Sequence, residues 1–362
     1  MNAGERAYSY AKACGIIGKS FVGKRIAILK KLHTLTEFDR LIFSGTQHEP
    51  PGRDLLIHLE HRILRRTAQQ ILSVINSYVN PPELLIRQLR SCEYADLKNC
   101  LHHIAAGRPV PELVCDIGRF RTVRFEAYPD IEAMINNTEF AFILGMDINA
   151  VTNADYDFTR LETELDMQYY TLLVRSMSRL SVSDRLIAER ILTEEISLRN
   201  CIWAFRLRIY YHKTIDETEK YLMSMKMHQS YSPDIIPGIT AKRPDGIAFV
   251  NEINLDLEAR QMLDFPLDSR SPWKGWRWEK LLNSEKPGRE WAADPRFFQN
   301  AASQYIYHLA LRCFRRMPFS MSAIFCYIKL KQFEEDLLTS VIEGLAIGMT
   351  GTEVVEMFEA WS

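Results

Sequence analysis

No run of about 18 apolar residues occurs in this chain, so no helix is expected to cross a membrane. The longest candidate, 140–151, is short and carries Asp147. No apolar stretch with a small-residue cleavage site follows the first residues, so no secretory signal is expected. No CxxC pair is present; seven cysteines stand singly at 14, 92, 100, 115, 201, 313 and 326, a pattern that reads as reduced thiols. HExxH and GxSxG are missing, as is any DxD-type acidic cluster, so the usual signatures of zinc hydrolysis and of a serine nucleophile are lacking. The net charge of −1 supplies no global field for nucleic acid or anionic lipid. There is no low-complexity tract. What remains is an ordinary soluble composition, 47% hydrophobic and 25% charged, in 362 residues, enough for two or three domains.

What the chain does have is an internal repeat. Thr36-Glu37-Phe38 returns 102 residues later as Thr138-Glu139-Phe140, and Leu59-Glu60 returns at the same offset as Leu161-Glu162. EYADLKNCL (93–101) returns 101 residues later as EEISLRNCI (194–202). A weaker third copy, EEDLLTSVI (334–342), keeps the double Glu but has lost the basic residue and the Asn. Each copy places apolar residues three or four apart: Tyr94, Leu97, Leu101 and Ile104; Leu198, Ile202, Phe205 and Ile209; Leu338, Val341, Ile342 and Leu345. This is the stripe of an amphipathic helix. Another helical segment precedes each one, at 59–77, 161–180 and about 296–316. Gly107 reads as a helix stop and Ser183-Asp184 as a cap.

The spacing divides the chain into repeat domains at 1–110, 111–212 and 277–362, with an ordered insertion at 213–276. Within the insertion, 239–242 and 247–250 flank Arg243-Pro244-Asp245-Gly246, which predicts a β-hairpin over 238–250. As an embellishment, 233–270 is expected to be removable without loss of the helical core.

Candidate chemistry is sparse. Gly15-Ile16-Ile17-Gly18-Lys19-Ser20 ends like a phosphate loop, but the first glycine of that motif is replaced by Ala13 and no strand precedes it. A phosphate-handling enzyme using Lys19 is therefore set aside. His58, His61, His102 and His103 lack the spacing of a zinc set and read as structural or surface groups. Cys100 and Cys201 hold equivalent repeat positions on apolar faces and read as core residues. Glu93, Glu194 and Glu334 also share one repeat position, where acids near a helix start compensate the dipole. No catalytic, metal or cofactor residue is assigned. The sharpest feature is Arg199, Trp203, Arg206 and Tyr210, on one helix face, with Lys98 at the place of Arg199 in the first copy. Such a basic, aromatic face suits an acidic protein partner or stands as a solvated helix surface; with balanced charge, nucleic acid is not expected.

Three stretches together, YVNPPELLIRQLRSCEYADLKNCLHHIAAG (78–107), LDMQYYTLLV with EEISLRNCIWAFRLRIYY (165–211) and AIFCYIKLKQFEEDLLTSVIEGLAIGM (323–349), resemble the C subunit of prokaryotic V-type ATPases, the counterpart of subunit d in eukaryotic V-ATPases. The run Lys331-Gln332-Phe333-Glu334-Glu335, or the register beginning at Lys329, fits the same pattern. The resemblance implies an all-α fold, three related helical domains in a pseudo-threefold funnel with a small hairpin-bearing insertion. It implies a non-catalytic central-stalk subunit, peripheral on the cytoplasmic face of a membrane. Such a socket couples the central shaft to the proteolipid rotor ring for proton or sodium transport, binds no cofactor and spans no membrane. Lys98, Arg199, Trp203, Arg206 and Tyr210 are then candidate shaft contacts. The competing reading is a cytosolic helical-repeat scaffold.

Overall fold

The computed structural model describes residues 3–44, 55–146, 156, 158–231, 249–285 and 290–359. The fold is all-α with one small antiparallel strand pair among the described residues. The helices in chain order are α1 (Ala3–Ile17), α2 (Ile26–Leu29), α3 (Leu35–Ile42), α4 (Leu55–Ile75), α5 (Glu83–Leu89), α6 (Ser91–Ala105), α7 (Ile131–Ile135), α8 (Phe158–Ser176), α9 (Val182–Ile209) and α10 (Ile215–Glu219). After the strands β1 (Lys226–Tyr231) and β2 (Phe249–Asn254) come α11 (Leu257–Leu263), α12 (Pro295–Arg316), α13 (Met321–Ala346) and α14 (Gly351–Glu359). The chain divides into two compact units, one holding 1–169 and 327–360, the other 170–326.

In the first unit α4 shows why the long segments are helical. Leu55, Leu59, Ile63, Ala68, Ile71 and Ile75 recur three to five residues apart and all are buried. That stripe receives α1, α3 and α5. Burying each such aliphatic side chain is worth about 1.5–3 kcal/mol. Gly107 stops α6 as its position suggested. At φ 60° its N–H reaches Ile104 O at 3.0 Å, and the Arg108 N–H reaches His103 O at 2.9 Å. Those two bonds make a Schellman closure, which glycine accommodates without strain.

The two Thr-Glu-Phe blocks fold differently. Thr36-Glu37-Phe38 lies in α3, capped by Thr34, whose Oγ1 accepts from Glu37 N at 3.2 Å. Thr138-Glu139-Phe140 lies in a turn, because Asn137 adopts φ 62° and Thr138 Oγ1 accepts from Phe140 N at 3.1 Å. Phe38 and Phe140 are nevertheless both fully buried.

The same unit joins the two ends of the chain. Gly351 N donates to Leu32 O at 2.8 Å and Thr352 Oγ1 donates to Lys30 O at 2.9 Å, seating α14 beside α2. A Cβ on residue 351 would collide with the Leu29 carbonyl oxygen and sit 3.0 Å from that of Leu32. Gly351→Ala is therefore expected to lower stability by about 1–3 kcal/mol, since backbone cannot yield as a flexible side chain does. A urea denaturation midpoint indistinguishable from that of the parent would contradict this contact.

In the second unit α9 is the central element, with α10, α11 and α12 packed on it. Its buried residues Leu198, Cys201, Ala204 and Phe205 join a core with Trp273, Trp276, Trp278, Trp291 and Phe298. Phe205 stacks on Trp273 with centroids 5.4 Å apart. Ala259, Met262 and Leu263 of α11 enter the same core, each at most 1% exposed. This overturns the expectation that 233–270 is removable, because deletion would strip α9 of buried apolar partners.

The expected hairpin turn at Arg243–Gly246 and its first arm, 239–242, lie outside the described residues. Phe249 and Val250 of the expected second arm belong to β2 and pair antiparallel with Tyr231 and Ser230 of β1. The mixed sequence of β1 carries no strong apolar alternation, so this partner was not visible beforehand.

Candidate interaction face and its buried carboxylates

Ser181, rather than the Ser183-Asp184 pair, caps α9. Its backbone is extended, and its Oγ accepts from Asp184 N at 3.3 Å and donates to Asp184 Oδ2 at 2.7 Å. Asp184 Oδ1 in turn accepts from Ser322 N at 2.9 Å. The helix so positioned carries Arg199, Trp203, Arg206 and Tyr210 along one side, all in the second unit. The Arg199 guanidinium lies over the Tyr170 ring, 5.4 Å from its centroid. Arg206 Nη2 donates to Gln299 Oε1 of α12 at 2.6 Å. Trp203 is half-buried between them, and Tyr210 at the C-terminal cap is 48% exposed. Lys98 belongs to the first unit and pairs with Asp166 of α8 at 2.8 Å. The three cations thus have partners inside their own units, and reversing their charge would disturb that packing. Tyr210 and its neighbour Tyr211, 65% exposed, are the most open part of the face.

The repeated glutamates have a role that dipole compensation does not describe. Only Glu93 sits in a first helical turn; Glu194 and Glu334 lie in the interior of α9 and α13. Each instead fastens a segment distant in sequence. Glu93 Oε1 accepts from Thr122 N and Val123 N at 2.5 and 2.6 Å. Glu194 Oε2 accepts from Arg277 Nη2 at 2.8 Å. Glu334 Oε1 accepts from Phe21 N at 2.7 Å, and its other oxygen pairs with Lys331. Burial raises the Glu93 and Glu194 carboxyls above the usual range, against the pull of their donors. Burial pushes Glu334 the same way, yet the Lys331 ammonium, the Phe21 N–H and Arg66 bring it below that range.

A second anchor in the same block went unread in the sequence. Asn200 is fully buried; its Nδ2 donates to Met223 O and Leu255 O, both at 3.1 Å, and its Oδ1 accepts from Met223 N at 2.8 Å. One amide therefore ties both chain ends that lead into the strand pair. Its recurrence at Asn99 and Asn200, beside an apolar stripe, was the available signal.

The remaining motifs are spoken for locally. Gly15–Ile17 form the end of α1, and the amides of Gly18, Lys19 and Ser20 donate to Cys14, Ile16 and Ile17 carbonyls. Those amides do not point into a phosphate cradle. His61 Nδ1 meets Glu112 at 2.9 Å, His102 Nε2 meets Glu162 at 2.8 Å, and His103 Nδ1 meets Pro109 O at 2.9 Å. Among the described residues no three His, Cys, Asp or Glu side chains gather as a metal set. Cys100 and Cys201 are fully buried; burial pushes the first thiol up to about 12 and the second well above its usual value.

Buried carboxylates and one buried amide thus fasten loops in this all-α protein, and among the described residues no helix is long and apolar enough to cross a membrane. Its family follows from comparison. The family model described as ATP synthase (C/AC39) subunit matches residues 48–357, and the chain belongs to that family, the C/d accessory subunits of V-type ATP synthases. An uncharacterized protein of Treponema pallidum (strain Nichols) is 24% identical over 359 residues, covering 95% of this chain and 94% of that protein.

Proposed function

We propose that this chain is the central-stalk socket of a V-type rotary ATPase or ATP synthase. In that role it joins the rotating shaft to the proteolipid rotor ring and couples nucleotide chemistry at the head to proton or sodium transport. It acts from the cytoplasmic face as a peripheral, non-catalytic subunit without a cofactor. The observation that carries the reading is the family match across 48–357. Close-packed helices support it, because dense interiors transmit strain instead of absorbing it.

Three related domains, 1–110, 111–212 and 277–362, with 213–276 between the second and third, belong to the same proposal. Their support is the order of elements: a long helix and then the Glu-bearing helix, as α4 with α5 and α6, α8 with α9, and α12 with α13. The shaft contacts are Lys98, Arg199, Trp203, Arg206 and Tyr210, with the aromatic pair as the better probe because the cations also serve packing. Trp203→Ala with Tyr210→Ala is expected to weaken shaft association about tenfold or more. Unchanged association would remove α9 from the interface.

Depletion tests the role itself. Native membranes lacking this chain are expected to lose ATP-driven ion transport, and purified chain is expected to restore it. Full transport without the chain would overturn the proposal.

A further inference from the structure

The net charge of −1 conceals a strongly cationic end of the second unit. The turn between α8 and α9 and the turn between α12 and α13 lie side by side there, because Asp184 Oδ1 accepts from Ser322 N at 2.9 Å. Residues 171–191 and 305–326, which hold both turns, contain seven arginines, no lysine and two acids, Asp184 and Glu189. Both acids are buried and engaged, Asp184 with Ser181 and Ser322, Glu189 with Arg185. Arg175, Arg179, Arg312, Arg315 and Arg316 are exposed, so these two segments show solvent positive charge and no negative charge.

Apolar side chains stand at the apex of each turn. Val182 is 57% exposed and Phe319 53%, with Pro318 exposed beside it. Each follows an exposed arginine by three positions, Val182 after Arg179 and Phe319 after Arg316. Phe319 also adopts φ 61°, a left-handed conformation that is unfavourable for a residue with a bulky side chain. The turn around it is fixed: Ser320 Oγ donates to Met317 O at 2.5 Å and accepts from Ala323 N at 3.0 Å. Neither burial nor local preference accounts for an aromatic ring held in water on a strained backbone. The turn between α4 and α5 is a contrast, since Val79 is 76% exposed there but 76–82 carry no charged residue.

We propose that these two turns form a docking tip for an anionic lipid surface, with Phe319 and Val182 entering the headgroup boundary and the arginines binding lipid phosphates. Guanidiniums hold phosphate oxygens through paired hydrogen bonds, and their long stems let them lie along an apolar apex. A negative membrane surface attracts such a patch, and insertion of apolar side chains adds the affinity that charge alone does not supply. An acidic protein would answer the arginines but not the outward ring. The contact needs no rotary neighbour, so it stands or falls apart from the socket role.

The test sediments the full-length chain with vesicles of phosphatidylcholine alone and with vesicles holding about one-third phosphatidylglycerol. Binding to the anionic vesicles is expected to be at least about tenfold tighter and to weaken with salt. Arg179→Gln with Arg315→Gln and Arg316→Gln is expected to lose about a hundredfold in affinity for them. Phe319→Gly removes the ring while relieving the left-handed backbone, so it is expected to lose about tenfold in affinity without lowering the thermal midpoint. Val79→Ser is expected to bind as the parent does. Equal binding to both vesicles, no binding to the anionic ones, or unchanged affinity in the arginine and Phe319 variants would overturn the proposal. Loss of a protein subunit by the arginine variant, with no vesicle binding by the parent, would assign the turns to an acidic protein and overturn it as well.

Discussion

Replacing Glu334 by Gln is expected to cost about 3–5 kcal/mol of folding stability, because it leaves a buried ammonium without its counter-charge. The Lys331 and Glu334 side chains are 2% and 1% exposed. Gln at 334 keeps an oxygen for the Phe21 N–H, so the loss isolates the charge and not the hydrogen bond. The double change Lys331→Met with Glu334→Gln is expected to recover most of the loss, since removing both partners removes the unpaired ion. The pH dependence has a definite sign. The folded carboxyl of Glu334 lies below its ordinary 4.5, so its contribution is present above that pH and is lost as pH falls through the folded value. Urea denaturation at pH 7 decides the matter. A loss under about 1 kcal/mol for Glu334→Gln would mean that Lys331 does not depend on this partner.

Glu335, the next residue, should behave in the opposite way. Burial and the neighbouring Asp336 raise its carboxyl to about 8, while Thr67 and Lys331 only partly oppose them. The folded state thus keeps a proton that the unfolded state has lost between about pH 4.5 and 8, so stability falls as pH rises through that window. Glu335→Gln removes the titration and keeps an acceptor for Thr67. It is expected to stabilise the chain by about 2 kcal/mol at pH 8, with little change at pH 4.5, the figure allowing for the partial solvent access of this side chain. Thermal melts of parent and variant across pH 4.5–8 measure the difference. Parallel curves would contradict the raised carboxyl.

Much of the fold was legible because helices write their period into local sequence. The stripes at 59–77, 161–180 and 296–316 correspond to α4, α8 and α12, each within a few residues. Gly107 was legible because the left-handed closure of a helix favours glycine. The glutamate anchors were visible as repeated positions but not as anchors. Their partners lie 29, 83 and 313 residues away, at Thr122, Arg277 and Phe21, where no local period reaches. The face holding Arg199 and Arg206 read as open for a related reason. A single helix shows its polar side without showing that Tyr170 and Gln299 cover part of it. The insertion read as an embellishment because its turn residues dominate, whereas Ala259, Met262 and Leu263 belong to the core of α9. Family membership was legible in the three Glu-bearing helices, and the matched region, 48–357, takes in all of them.

The most direct measurement is affinity purification of the tagged chain from gently solubilised native membranes, with the recovered subunits identified and counted by mass spectrometry. The central-stalk role predicts stoichiometric recovery of shaft subunits together with the proteolipid ring, retained at low ionic strength. Recovery of the chain alone, or with soluble proteins and no rotary ATPase subunit, would contradict it and favour a cytosolic scaffold.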